Sequence, residues 1–351
     1  MPTTSALHVS SFGTWDRVLA ESAMQASVAF DGSRLSNLQL LAGNAVIVKT
    51  PTQGGAVCLT VAHSIMRDAG LPVTLLSGDG AELSDAMVRS KEIGALAFAG
   101  GRSNGGAIAA KLVDTGKRHM LEQEGLNTYG VWEFGDWSTL AAQVRKGFEY
   151  GKQRCTAYPR FVVQRELVDS FLAAYLPVVQ GLRFGHPLAV AADVADPTTA
   201  DLPELEFGPP IAAAKADELQ EEVTAALHYG AIPLHRGSLD GGRFLDGQDT
   251  SAYAAPATLL APPEMLAQMN AANGALVATI ACDDVAKATE LAEHVQAFKV
   301  RVNKPRSRGD REEPFGARGA SVVRKRHSHN EPERKRHSHK EWRRQWTSSS
   351  A

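Results

Sequence analysis

At 351 residues, 44% hydrophobic and 22% charged, the chain is long enough to bury two cores, yet it holds no run of about 18 apolar residues of the kind that spans a bilayer. Three widely spaced cysteines make neither a disulfide framework nor a zinc spacing, and Met1-Pro2-Thr3-Thr4-Ser5 lacks the basic and apolar segments of a secretory signal, so a cytoplasmic, enzyme-sized protein without a metal centre is expected. The net charge of −2 hides an asymmetry, because residues 321–351 carry nine Lys and Arg against three Asp and Glu, leaving an acidic body and a basic tail.

In chain order, Trp15 to Phe30 has helical spacing through Val18, Leu19, Ala23 and Ala26, until Phe30-Asp31-Gly32-Ser33 breaks it. Ala45 to Lys49 reads as a buried strand, and a turn holding Pro51, Gly54 and Gly55 leads into a helix from Ala56 to Ala69. Gly70-Leu71-Pro72 stops that helix. Val73 to Leu76 reads as the next strand, Ala81 to Arg89 as the next helix and Ala95 to Ala99 as a third strand. Strands alternating with crossover helices predict a parallel sheet covered on its faces. Gly100-Gly101-Arg102-Ser103-Asn104-Gly105-Gly106 follows the third strand and opens a helix through Lys111. Glycines there let the backbone approach a ligand closely, and a helix N-terminus suits phosphate, although a tight turn alone could ask for the same residues.

The second half repeats the theme. Tyr129 to Trp132 is a strand candidate, Ser138 to Phe148 a helix, Arg160 to Gln164 a strand and Glu166 to Gln180 a helix. Pro187 to Pro210 reads as irregular, Ala214 to Tyr229 as helix, and Ala231 to Leu234, Ala255 to Leu260, Leu276 to Ala281 and Val300 to Asn303 as short strands around a helix from Val285 to Val295. The expected architecture is two Rossmann-like α/β domains, a partial nucleotide-binding domain over residues 1–125 and a catalytic domain over 126–320, with a cleft between them. Residues 321–351 are expected to form a basic, disordered tail. The tail carries Arg324-Lys325-Arg326-His327-Ser328-His329 and repeats those six residues at Arg334 to His339. This composition could attach to nucleic acid or another anionic surface, or capture metal, and fits a solvated extension better.

Cys155 is the candidate nucleophile. It stands at an element junction, and Lys152 and Arg154 flank it in sequence, a setting that favours the thiolate. Cys58 and Cys282 lie in apolar stretches and read as buried structural residues.

Gly151-Lys152-Gln153-Arg154-Cys155-Thr156-Ala157 resembles the nucleophile motif of the aldehyde dehydrogenase superfamily. Other landmarks follow in that family's order: Gly43 to Lys49, Ala69 to Pro72, Phe98 to Gly105, Lys117 to Gly125, Leu182 to Pro187, Gly208 to Ile211 and Glu313 to Gly316. The resemblance implies oxidation of a small-molecule aldehyde to a carboxylic acid with NAD or NADP. Cys155 would attack the carbonyl, and Glu122, 33 residues upstream, would activate the water that hydrolyses the thioester. Glu124 competes for that role, since strand alternation places Glu122 and Glu124 on one face. Cofactor contacts would come from Lys49, Thr52, Gly100, Gly101 and Gly105. Thr52 stands where the family often has a ribose-binding acid, which leaves NADP open. No Trp-Asn pair occurs before Lys49 to supply the family's oxyanion asparagine, and Ala271 to Gly274 replaces its E-x-F-G-P segment. A relative without nucleotide-dependent oxidation, whose thiol does acyl or ester chemistry or binds a partner, is the alternative. The resemblance implies pairing through arms for which this sequence shows no counterpart, so a homo-oligomer is expected to need other contacts.

Overall fold

The computed structural model describes residues 18–22, 39–41, 43–51, 56–123, 125–189, 201–228, 230–260, 274–305, 318–319 and 322–325. The first strands are β1 (Val18–Ser22) and β2 (Val46–Lys49), followed by helix α1 (Ala56–Asp68). Helix α1 stops where Gly70 takes φ +81°. There the amides of Gly70 and Leu71 reach back to the carbonyls of Arg67 and Met66 at 2.9 and 3.0 Å, the paired closure for which a left-handed glycine is suited. Strand β3 (Val73–Leu76) leads to α2 (Gly80–Arg89), whose first amides, Ala81 and Glu82, are capped by the Asp79 carboxylate at 2.8 and 2.9 Å. Strand β4 (Ile93–Gly100) is continuously buried from Ala95 to Phe98, as a strand covered on both faces must be. Helix α3 (Arg102–Leu112) and strand β5 (Arg118–Gln123) complete this half. The buried Lys117 ammonium, just before β5, closes the far end of α2 by donating to the carbonyls of Met87 and Ser90 at 2.9 and 2.8 Å.

The second half comprises β6 (Thr128–Val131), α4 (Trp137–Gly147), β7 (Arg160–Val163), α5 (Val168–Gln180) and α6 (Ala213–His228). It continues through β8 (Ile232–Arg236), β9 (Ala257–Leu260), β10 (Gly274–Ala275), β11 (Val277–Ala281), α7 (Val285–His294) and β12 (Lys299–Val302). Two short strands follow, β13 (Arg318–Gly319) and β14 (Val322–Lys325). Strand β11 is buried along its whole length. A core of Tyr129, Val131, Leu140, Val144, Tyr158, Phe171, Tyr175 and Val277 joins α4 and α5 to the sheet.

The larger sheet has the order β14-β5-β4-β1-β2-β3, parallel except that β14 runs antiparallel to β5. The second sheet, β12-β11-β6-β7, is wholly parallel. Two α/β units, as expected, therefore meet at the short connection from β5 to β6. Three expectations need correction. The segment with helical spacing contributes β1 to the centre of the first sheet, because a gap between β2 and β4 demands a strand whatever the local period suggests. The tail expected from residue 321 begins with β14, whose Val322 pairs with Glu122, so the sheet takes in part of the basic segment. Cys58, read as buried, is exposed on α1, whereas Cys282 is buried as expected. The duplicated Arg-His segment lies outside the described residues beyond Lys325.

Candidate active site

The Cys155 loop starts where α4 runs into a 3-10 turn, Glu149–Lys152. Gly151 and Lys152 both take left-handed backbone, at φ +59° and +58°, which turns the chain toward the sheet. The Arg154 amide donates to the Lys152 carbonyl at 2.8 Å and the Ala157 amide to the Arg154 carbonyl at 3.0 Å, so the nucleophile candidate sits on a tight turn. Cys155 is half-buried against the core. Beyond it Tyr158 is buried and shares a 2.9 Å hydrogen bond with the Thr279 hydroxyl. The loop is thus anchored at its exit to β11.

Glu122 lies near the end of β5, 8% exposed, in register with Ala99 of β4 and Val322 of β14. The chain leaving β5 runs directly against the Cys155 loop. At Gly125 a Cβ would stand 2.0 Å from the Cys155 carbonyl oxygen, 2.7 Å from Asn127 Nδ2 and 2.8 Å from Leu276 Cδ1. Only glycine permits this approach. Gly125 is three positions after Glu122, a span of at most about 11 Å of chain. The fold therefore brings the candidate nucleophile and the strand of the candidate base together. Glu124 lies outside the described residues.

Asn127 escaped the sequence reading. It is 0% exposed. Its Nδ2 donates to the carbonyls of Cys155 and Ala157, both at 2.7 Å, and its Oδ1 accepts from the amides of Leu276 and Val277 at 3.1 and 3.0 Å. A single asparagine between Leu126 and Thr128 carries no spacing signal, so the sequence offers nothing by which to find it.

The Lys152 ammonium, expected to favour the thiolate, is held by the core beside the loop. It donates to the Tyr158 carbonyl at 3.0 Å and lies 4.1 Å from the centre of the Phe148 ring and 5.5 Å from that of Phe161. Burial, with a smaller contribution from Arg154, pushes its pKa down to about 8. It lines a cavity of about 20 Å³ with Tyr129, Gln143, Arg154 and Tyr158, between α4 and β7.

The nucleotide candidates gather at the carboxyl-terminal edge of the first sheet, where ligands of parallel α/β sheets bind. Lys49 ends β2 and is buried, which lowers its pKa against the opposing pull of the Asp79 carboxylate. Next to it the Thr50 hydroxyl is buried with no hydrogen-bond partner among the described residues. Gly100 ends β4, and Gly101 precedes α3 without any side chain to cap it. The N-terminus of an eleven-residue helix without a side-chain cap and the unsatisfied Thr50 hydroxyl fit a phosphate-bearing dinucleotide. Gly105 answers a different need: a Cβ there would stand 2.6 Å from Gln123 Nε2, so this glycine allows α3 to pack on β5. Thr52 lies outside the described residues. Among the described residues no group of three His, Cys, Asp or Glu could hold a metal, and no helix is long and apolar enough to cross a membrane.

A model of the Aldehyde dehydrogenase family matches residues 34–263. Benzaldehyde dehydrogenase YfmT of Bacillus subtilis is 30% identical over 208 residues, covering 57% of this chain and 39% of the relative. NADP-dependent glyceraldehyde-3-phosphate dehydrogenase of Apium graveolens is 27% identical over 296 residues, covering 79% and 56%. The chain thus spans between 30% and 60% of the length of the curated relatives it matches. Among solved structures, glyceraldehyde-3-phosphate dehydrogenase GapN from Methanocaldococcus jannaschii, complexed with NADP, superposes with a TM-score of 0.71 at 19% identity, covering 87% of this chain and 68% of that one. PnpE from Pseudomonas sp. WBC-3 gives 0.73 at 20% identity, covering 87% and 65%. These superpositions show the shared two-domain α/β fold.

Proposed function

The chain belongs to the aldehyde dehydrogenase family, and from that premise we propose that it oxidises an aldehyde to a carboxylic acid with NAD or NADP, through covalent intermediates on Cys155. The observation that carries this reading is the contact between the Cys155 loop and the exit of the Glu122 strand at Gly125. Several curated relatives are named as dehydrogenases of aldehyde substrates, and four of them are NADP-dependent glyceraldehyde-3-phosphate dehydrogenases.

The residues divide the work as follows. The Cys155 thiolate adds to the carbonyl carbon and gives a tetrahedral thiohemiacetal. A bound nicotinamide dinucleotide would supply the hydride acceptor for that carbon. The product on Cys155 is a thioester. Glu122 takes a proton from water, whose oxygen attacks the thioester carbon, and the C–S bond breaks to release the acid and restore the thiolate. One aldehyde, one water and one oxidised nucleotide yield the acid, the reduced nucleotide and a proton. The N-terminus of α3 after Gly101, with Lys49 and Thr50, would hold the nucleotide's phosphates and ribose at the sheet edge.

The experiment is a pre-steady-state measurement of reduced nicotinamide with a panel of aldehydes. Cys155→Ser is expected to lower turnover by about 10³-fold or more. Glu122→Gln is expected to retain a burst of one reduced nucleotide per site, followed by steady turnover lowered by about 10²–10⁴-fold. Turnover by Cys155→Ser at the wild-type rate would overturn the role of the thiol, and loss of the burst in Glu122→Gln would move Glu122 to a step before hydride transfer.

A further inference from the structure

We infer that Asn127 is a positioning residue for the nucleophile, its buried carboxamide holding the Cys155 loop against the entry of β11. The inference rests on the reading of Cys155 as the nucleophile. A carboxamide offers two N–H donors and an oxygen with two lone pairs, and in Asn127 all four are used. Both donors serve the nucleophile loop, on the carbonyls of Cys155 and Ala157, which flank Thr156. Both acceptor positions serve the sheet, on the consecutive amides of Leu276 and Val277. The side chain is fully buried, so no water replaces a lost partner, and a shift of the loop would strand a buried donor.

A role confined to fold stability would place these bonds anywhere along the loop. They converge instead on the carbonyl of Cys155 itself, the oxygen that the bare Cα of Gly125 also approaches. Fixing that peptide plane fixes the direction of the Cys155 Cα–Cβ bond, and hence where the sulfur can reach. Displacements of about 1 Å at a reacting group are enough to cost about 10²-fold in rate.

The test uses Asn127→Asp in the full chain. Aspartate has the same shape and still accepts from Leu276 and Val277, but it presents oxygen where Cys155 and Ala157 need donors. Alkylation by iodoacetamide is followed by peptide mass spectrometry, with the exposed Cys58 as an internal reference in the same sample. The Cys155 to Cys58 rate ratio is expected to change by about tenfold or more while the Cys58 rate holds, and kcat to fall by about 10²-fold with KM changed little. An unchanged ratio in a folded variant overturns the proposal. Should Asn127→Asp fail to fold, native-state hydrogen exchange of the wild-type chain decides. The amides of Leu276, Val277 and Ala157 are expected to open together with one denaturant dependence, and independent opening of Ala157 overturns the proposal. Alkylation needs neither aldehyde nor nucleotide, so a changed ratio in a chain that oxidises no aldehyde would leave the positioning role standing and remove the dehydrogenase reading.

Discussion

Lys152 is an ammonium held between aromatic rings, and the fold bears a cost for its charge. Its pKa falls from an ordinary 10.5 to about 8, while the unfolded chain keeps the proton up to the ordinary value. Between those two pH values the unfolded state therefore binds more protons than the native state, and stability rises with pH across that window. The full span corresponds to roughly 3 kcal/mol. The charged penalty is complete below the folded pKa and relieved as the pH climbs through it. Lys152→Met removes the titration and leaves the Tyr158 carbonyl without its 3.0 Å donor, a loss of about 1 kcal/mol. In urea unfolding the variant is expected to be the more stable form at pH 7, with its advantage shrinking as the pH approaches 10. Parallel pH dependences in the two proteins would contradict this. The same residue shows what the sequence can and cannot disclose at this scale. Cys155 is singled out because its neighbours form a motif, and Lys152 beside it suggests an activating cation. Where the Lys152 ammonium sits depends on Phe148, Phe161 and Tyr158, whose convergence only the packed chain reveals.

Most elements of the first sheet are legible because each carries its own punctuation. Helix α1 ends at a left-handed glycine followed by a proline, and α2 begins at a capping aspartate. The exceptions are β1 and β14, where a local pattern competes with a pairing requirement set elsewhere. Val18–Ser22 matches a helical period but occupies the slot between β2 and β4. Val322–Lys325 reads as the edge of a charged tail, and two of its four residues are valine. Their partner is Met120 to Glu122, together with His119. Removing residues 322–351 would leave β5 as an open edge with unpaired backbone groups, the feature that templates aggregation. Such a truncation is expected to lower the urea midpoint and to increase light scattering on refolding. A midpoint equal to that of the full chain would show that β14 contributes nothing to the sheet. The pairing also bears on the site, because Glu122 is one of the paired residues.

At the scale of the whole molecule the question is whether nucleotide stabilises the fold. The first sheet retains Lys49, Gly100 and Gly101 at its carboxyl edge, with the unsatisfied Thr50 hydroxyl among them. A dinucleotide at 100 times its Kd stabilises the native state by about 2.7 kcal/mol. For a chain of this size that is a shift of several degrees in Tm. Titration with NAD and NADP in separate thermal scans is expected to raise Tm with at least one of them. No shift at millimolar nucleotide would favour thiol chemistry without it. The antiparallel pairing of Glu122 with Val322 has a further consequence, in time rather than in energy. The two residues lie 200 positions apart, and a ribosome adding 5–20 residues per second needs roughly 10–40 s to travel between them. Through that interval the growing chain carries the candidate base on an uncovered strand, so the first sheet is completed only after the strands of the second sheet have been made.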